Sequence, residues 1–415
     1  MTQALLSRRF FLKSAALIGC SAAAHPFMSS VTLASAPWEE RLVVIILRGA
    51  MDGLAVLQPL GDPSYAGLRP DLGAGLAGGA MDLDGFYALH PNLSGLMPMW
   101  RAGELGFIHA VSTPYRDKRS HFDGQDLLEA GTGFDLGVSS IRDGWLNRLL
   151  QVVPGVVGET AFAIGHDAMK VLQGEARYTV WSPTTSLALS AQSRLLLEAI
   201  YHDDPLFRDA GMAAMDLAEE LAREQASPEG QMMANETEAE VMQAVKAADP
   251  KGKPDPLASF AATRLNQDTR IAAFSLSGWD THRDQPKALL KSLTSLQNTL
   301  LTLKSGLGDN WGKTTVLAMT EFGRTARQNG SKGTDHGTGG AMLLAGGAVR
   351  GGKVYGKWPG LAEADLYDRR DLMPTSDVRA HAAWAMHHLF GIERKVLEGS
   401  IFPGLDMGPD AGLIL

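Results

Sequence analysis

Asp52, Asp280, His282 and Glu321 each stand just behind an apolar run, in Met51-Asp52-Gly53, Gly278-Trp279-Asp280-Thr281-His282 and Thr320-Glu321-Phe322. Asp335 and His336 sit between glycines in Gly333-Thr334-Asp335-His336-Gly337. A carboxylate and an imidazole two residues apart can reach one ion, and such mixed N/O donors suit zinc or manganese. Each residue also has a plainer reading. Asp52-Gly53 is a common turn pair, and Asp280-Thr281 can cap a helix starting near Pro286. Glu321 is costly to bury unpaired, so it calls for an ion or for Arg324. Asp335-His336 has little reason to exist as core.

The segment from Arg116 to Asp126 is dense in polar groups and precedes a helical pattern over Phe122 to Glu129. Ser120 can cap that helix. Its hydroxyl would equally face the positive end of the helix dipole, where an anionic substrate docks. A bound metal lowering its pKa would make it a nucleophile. His121 is a candidate ligand or acid/base, and Arg119, Arg48 and Arg324 are candidates to neutralise anionic oxygens. His109 lies within an apolar run and reads as core; His381, His387 and His388 read as packing or surface residues. The one cysteine, Cys20, leaves His, Asp and Glu as the only metal donors of the mature chain.

Arg41 to Leu47, Leu105 to Val111, Ile271 to Leu276, Thr315 to Met319 and Ala341 to Ala345 read as strands. Helical patterns cover Gln192 to Tyr201, Phe207 to Arg223, Glu236 to Ala248, Pro286 to Leu303 and Val378 to Leu389. The fourth carries Leu289, Leu290, Leu293, Leu296, Leu300 and Leu303 on one face. Strands alternating with helices predict an α/β fold, a mostly parallel central sheet with helices on both faces. In such sheets ligands bind beyond the carboxyl ends of the strands. Asp52, Asp280, His282 and Glu321 would project from that one edge, and Asp335-His336 would lie on a loop returning across it. Residues from about 150 to 265 read as a helical insertion or cap.

The 415 residues are 45% hydrophobic with a formal charge of −8. That is ample for a large core, and the absence of a basic stripe argues against nucleic acid as a partner. Residues 1–36 read as a twin-arginine signal peptide. Arg8-Arg9 precedes Phe10-Phe11-Leu12-Lys13, an apolar stretch and small residues. The expected partner is the twin-arginine translocation machinery and the expected location is periplasmic or secreted, with lipid anchoring at Cys20 as a minority alternative. Ala34-Ser35-Ala36 is a candidate cleavage site, and no later segment has the length of a membrane span.

Six motifs in order carry a resemblance covering nearly all of residues 37–415. They are Arg48 to Gly53, Arg119-Ser120-His121-Phe122-Asp123, Asp143-Gly144-Trp145-Leu146, Gly278 to His282, Thr320 to Arg324 and Gly333 to Gly337. Together they resemble the bacterial domain-of-unknown-function family 1501, itself similar to the alkaline phosphatase and sulfatase superfamily. The resemblance implies an alkaline-phosphatase-like fold and one or two divalent ions, zinc or manganese, with magnesium or calcium as alternatives. It places Asp52 as first ligand, Ser120 in the nucleophile position and Asp280 with His282 as the next pair. By letters Asp335-His336 is the following Asp-His pair; by strand order Glu321 holds that place and His336 is the last histidine. Strand order is preferred, because the strand fixes where a side chain points. Three departures stand out: the short Asp280-to-His282 spacing, Phe322 where a histidine is expected, and no Cys-x-Pro-Ser-Arg signature, which argues against a formylglycine sulfatase. The implied activity is metal-dependent hydrolysis of a phosphate or sulfate ester on a small molecule or glycan. The alternatives are a non-catalytic envelope or matrix protein retaining the fold, and a phosphomutase or transferase.

Overall fold

The computed structural model describes residues 38–116, 118–133, 141–154, 156–165, 169–182, 239–247 and 252–415. Residues 1–36, read as a signal peptide, and the helices expected over Gln192 to Tyr201 and Phe207 to Arg223 lie outside these residues.

Among the described residues the central sheet has nine strands. They are β1 (Arg41–Arg48), β2 (Leu105–Ser112), β3 (Ala161–Ile164), β4 (Thr179–Trp181), β5 (Ile271–Ser277), β6 (Thr314–Met319), β7 (Gly340–Ala345), β8 (Val354–Tyr355) and β9 (Ser376–Asp377). The order is β8-β2-β7-β6-β1-β5-β3-β4, with β9 also pairing with β2. β1 runs parallel to both neighbours, Ile45 opposite Phe274 and Ala318. Only β7 is antiparallel to the strands beside it. The mostly parallel sheet with helices on both faces is thus as expected.

The β1 sequence explains its central place. Leu42 to Leu47 are all fully buried, and alternate side chains enter two cores. Leu42, Val44 and Ile46 pack with Leu146 and Leu149 of α2 (Trp145–Val152) and with Ala382 and Met386 of α5 (Val378–Phe390). Val43, Ile45 and Leu47 pack with Ala258 and Ala261 of α3 (Pro256–Leu265) and with Leu289, Leu293, Leu296 and Leu300 of α4 (Gln285–Leu307). Leu290, grouped with that stripe from sequence, is 37% exposed. A smaller sheet joins Leu57–Gln58, Ala88–Leu89 and Met81–Asp82. Within the stretch from about 150 to 265 read as a helical insertion, β3 and β4 extend the main sheet and residues 239–247 are helical.

The antiparallel β7 explains how a segment preceding a strand joins segments that follow strands. Gly49 to Asp52, Gly278 to His282 and Thr320 to Arg324 leave the carboxyl ends of parallel strands, whereas Gly333 to Gly339 enters the amino end of β7 at the same edge. Gly49 has φ +115°, and a Cβ there would stand 2.6 Å from the Asp280 nitrogen. Only glycine lets these two turns meet so closely.

His109 is buried, as expected, and stacks on Tyr87 at 5.4 Å. His381 is 8% exposed, with Nε2 2.9 Å from the Ser376 hydroxyl. Burial lowers the His381 pKa to about 4. Below the ordinary value of 6.5 the unfolded chain takes up a proton that the folded chain refuses, so stability is lost as pH falls from there toward 4. Relative to His381→Gln, wild type is expected to lose about 2.5 kcal/mol between pH 7.5 and 4.5. Urea unfolding of both proteins across that range measures it; a pH-independent gap would contradict it.

Candidate metal centre

α1 (His121–Ala130) starts at the Ser120 cap and ends at Gly131 in the left-handed conformation. At Gly124 a Cβ would lie 3.0 Å from the Phe322 ring and 3.3 Å from Glu321 Cβ. The glycine lets the first turn of α1 lie on the turn after β6. His121 then stacks on Phe322, ring centroids 5.2 Å apart, and its Nδ1 meets Glu321 Oε1 at 2.8 Å.

Three imidazoles are held alike. His121 Nδ1 faces Glu321, His282 Nδ1 faces Asp335 Oδ1 at 3.1 Å, and His336 Nδ1 faces the Arg119 carbonyl at 2.8 Å. Burial pushes the Glu321 carboxyl up, but hydrogen bonds from His121, Gln125 and Thr320 outweigh it and hold the group below its ordinary range. Asp335 is also held low: bonds from Asn329 and His282 outweigh its burial. Ionised carboxylates and a carbonyl only accept, so each Nδ1 carries a proton, and it is the Nε2 of each ring that turns inward.

Those nitrogens converge on Asp280. Its Oδ1 lies 3.1 Å from His282 Nε2, 3.5 Å from His121 Nε2 and 3.6 Å from His336 Nε2. Ligand atoms of His121, Asp280 and His336 lie within 4.8 Å of one another, and His282 Nε2 is 3.0 Å from His336 Nε2. His121 Nε2 is buried with no hydrogen-bond partner. Lone pairs packed this closely repel unless a cation or a proton sits among them. Burial and the cationic charge of its neighbours lower the His336 pKa, which favours the neutral donor. The Glu321 hydrogen bond raises that of His121. Asp280 and His282 are 46% and 40% exposed in their side chains, so one side of the cluster faces solvent.

The family model described as "Protein of unknown function (DUF1501)" matches residues 109–400, which hold His121, Asp280, His282 and His336. The chain belongs to DUF1501. A Vibrio parahaemolyticus protein of the alkaline phosphatase superfamily is similar at 11% identity over 86% of this chain and 68% of that one, TM-score 0.34. The C-terminal periplasmic domain of EcEptC from Escherichia coli, in complex with Zn, is similar at 9% identity over 90% and 92% of the two chains, TM-score 0.34. Comparison with curated proteins finds no match. Likenesses this remote carry no chemistry, which comes from the geometry of the site.

In this DUF1501 chain several expected ligands lie one step back. Glu321 and Asp335 hold imidazoles rather than facing the open centre. Asp52 is 1% exposed and caps the short helix Gly53–Val56. Its Oδ2 takes bonds of 2.6 Å from both Arg69 and Gln285, so here it serves as the acceptor of a buried polar network. The arginines assigned to substrate are engaged too. Arg48 pairs with buried Glu129 at 2.8 Å and bonds Gln125. Arg324 is wholly buried, donating to the Gly49, Ala50, Trp279 and Thr334 carbonyls and, at 2.6 Å, to Asp280 Oδ1. Burial pushes the Asp280 carboxyl up, but the Arg324 bond and charge outweigh it and keep the group below its ordinary range. Arg119 serves the site through its backbone; its φ of +52° is the strained conformation in which its carbonyl meets His336. The Ser120 hydroxyl accepts from the Asp123 amide at 3.4 Å, the capping role rather than a contact with the imidazoles.

Sequence reasoning missed Gln125, which bonds both Glu321 and Arg48. Its position four residues after His121 on one helix face was the available signal. Asp335→Asn weakens the acceptor that orients His282. If the cluster holds an ion, its affinity is expected to fall about 10–100-fold, measured by competition with a chromophoric chelator, with one ion still bound at saturation.

Proposed function

We propose that the protein is an exported, metal-dependent hydrolase of phosphate or sulfate esters, working with one divalent ion. The observation that carries this reading is the inward turn of three Nδ1-anchored imidazoles onto the Asp280 carboxylate. His121, His282, His336 and Asp280 would hold the ion. Zinc fits three nitrogens and one oxygen best and manganese next, because hard magnesium and calcium prefer all-oxygen sites. The partial exposure of Asp280 and His282 suits a catalytic rather than a closed structural site. A bound ion supplies Lewis acidity toward an ester oxygen and toward water.

The chain's own groups set the stage. Glu321, Asp335 and the Arg119 carbonyl keep the rings in one tautomer, and Arg324 fixes Asp280 while adding positive charge beneath the site. That guanidinium supports one ion, the lower of the one or two expected from sequence: it already neutralises Asp280, while Asp52 is engaged elsewhere. With Ser120 in its capping role, water is the attacking group this geometry favours. No helix among the described residues is long and apolar enough to cross a membrane, which is compatible with export by the twin-arginine route.

The test is elemental analysis of purified protein followed by an aryl phosphate and aryl sulfate panel, for wild type and His336→Ala. One ion per chain and metal-dependent turnover are expected, both lost in the variant. Metal content and turnover unchanged by His336→Ala would defeat the assignment. Metal without turnover on every ester would point to the binding-protein alternative.

A further inference from the structure

A cavity of about 720 Å³ adjoins the metal centre. Asp335 belongs to both: it lines the cavity and holds His282 Nδ1. Asn329 also lines the cavity and donates to Asp335 Oδ1 at 3.1 Å and to the His282 carbonyl at 2.9 Å. The cavity therefore begins one side chain away from the imidazole cluster. Its size lies within the range of small-molecule sites, about 300–1,000 Å³.

Its charge runs against that of the protein. The chain carries −8, yet Arg327, Arg369 and Arg370 all line this space. The acids on the wall are Asp335 and Glu363. Asp335 is engaged with His282 and Asn329. Glu363 approaches Arg369 only at 3.9 Å, with the two side chains 75% and 81% exposed, a contact of little energy. The exposed Arg327 guanidinium has no hydrogen bond or ion pair among the described residues. Arg370 ties the wall to the metal centre, donating to the His336 carbonyl at 3.0 Å and to Asp371 at 2.9 Å.

The loop bearing two of these arginines is strained. Asp368 and Arg369 are consecutive and both left-handed, with φ of +50° and +53°. The Tyr367–Asp371 bridge and the Ala326 amide bond to the Arg370 carbonyl at 3.0 Å hold them there. Such backbone is costly and persists where surrounding contacts over-determine it, as at ligand clamps.

We propose that this cavity binds a second anionic group of the substrate, so that the substrate is an ester carrying at least two sulfate, phosphate or carboxylate groups on a body of disaccharide size or smaller. The identity of the reacting group rests on the proposed ester hydrolysis; the anion site does not. Guanidiniums recognise all three oxyanions through paired N–H donors, and in a chain of net negative charge a local arginine cluster is where such anions meet favourable charge.

Calorimetric titration with fructose 1,6-bisphosphate and a disulfated disaccharide, each against its mono-anionic counterpart, tests the proposal on the full chain. At least one bis-anion is expected to bind about tenfold or more tighter than its mono-anion, weakening as salt rises. The better probe identifies phosphate or sulfate as the preferred source. The double variant R327Q/R369Q should lose that preference, and R327K/R369K should recover part of it, which separates lost charge from misfolding. Asp280→Asn, stripped of metal, should still bind the bis-anions through the cavity, with an affinity that R327Q/R369Q lowers; this separates failure of the anion site from failure of the metal reading. Equal affinity for mono- and bis-anions, no binding of either bis-anion, or a preference untouched in R327Q/R369Q would overturn the proposal.

Discussion

Arg69→Ala is expected to destabilise the protein by about 3–5 kcal/mol, the cost of leaving a buried charge without its partner. Arg69 and Asp52 have side chains 0% and 1% exposed and meet at 2.6 Å. The guanidinium also donates to the Ala326 carbonyl at 2.9 Å and the Thr325 carbonyl at 2.7 Å, tying the turn after β1 to the segment after β6. Asp52 Oδ1 takes the Leu54 and Ala55 amides, and Gln285 shares Oδ2 while accepting from the Thr281 and Thr334 hydroxyls. One carboxylate thus holds together three of the turns that carry metal-centre residues. Truncating Arg69 strands that carboxylate and two carbonyls in a dry interior. Urea unfolding of wild type and variant measures the loss, and a difference below about 1 kcal/mol would show that the network contributes little. The double variant R69M/D52L should recover only the part of the loss that comes from the stranded charge, because the Thr325 and Ala326 carbonyls, the Leu54 and Ala55 amides and the Gln285 amide still lose their side-chain partners. Asp52→Asn should still bind one ion per chain; loss of metal from that variant would restore Asp52 as a ligand.

What the sequence disclosed follows from what a one-dimensional pattern can encode. Buried strands announce themselves by runs such as Leu42 to Leu47, and polar residues directly behind them must emerge at one edge. This brought Asp280, His282 and Glu321 to a common rim. Direction did not show: nothing in Ala341 to Ala345 says that β7 runs antiparallel, although that reversal is what delivers His336 to the same rim. The division between donors facing the open centre and those behind them was equally hidden. A carboxylate after a strand can face an ion or an imidazole, and Glu321 and Asp335 took the second course because His121 and His282 stand between them and the open side. Asp52 misled for a different reason. Its partner Arg69 lies in an irregular stretch without periodicity, so the ion pair that engages it leaves no trace in spacing. Ser120 showed the reverse case, in which the plainer reading, a helix cap, accounts for the contact observed.

Asp280→Ala bears hardest on the proposed metal centre, because Asp280 is the one anion among the four converging donors. A four-ligand zinc site is worth about 10–16 kcal/mol in all, so losing one donor is expected to weaken binding roughly 10²–10³-fold. The variant also removes the carboxylate partner of Arg324, whose remaining bonds are to neutral carbonyls and, at 3.5 Å, to His282 Nε2. Asp280 is 46% exposed, so water screens that second loss, and about 1–2 kcal/mol of metal-free stability is expected to go with it. The two effects separate by measurement. Chelator competition reads the affinity; thermal melting with and without added zinc reads how much of the ion's stabilisation survives, since a ligand that binds only the folded state raises the melting temperature in proportion to log affinity. Asp280→Asn keeps an acceptor for Arg324 but not the charge, so it should melt close to wild type without metal and still bind zinc far more weakly. If Asp280→Ala held zinc within about threefold of wild type, the ion would not be seated on this carboxylate, and the inward-facing nitrogens of His121, His282 and His336 would need another cation or proton to explain their approach.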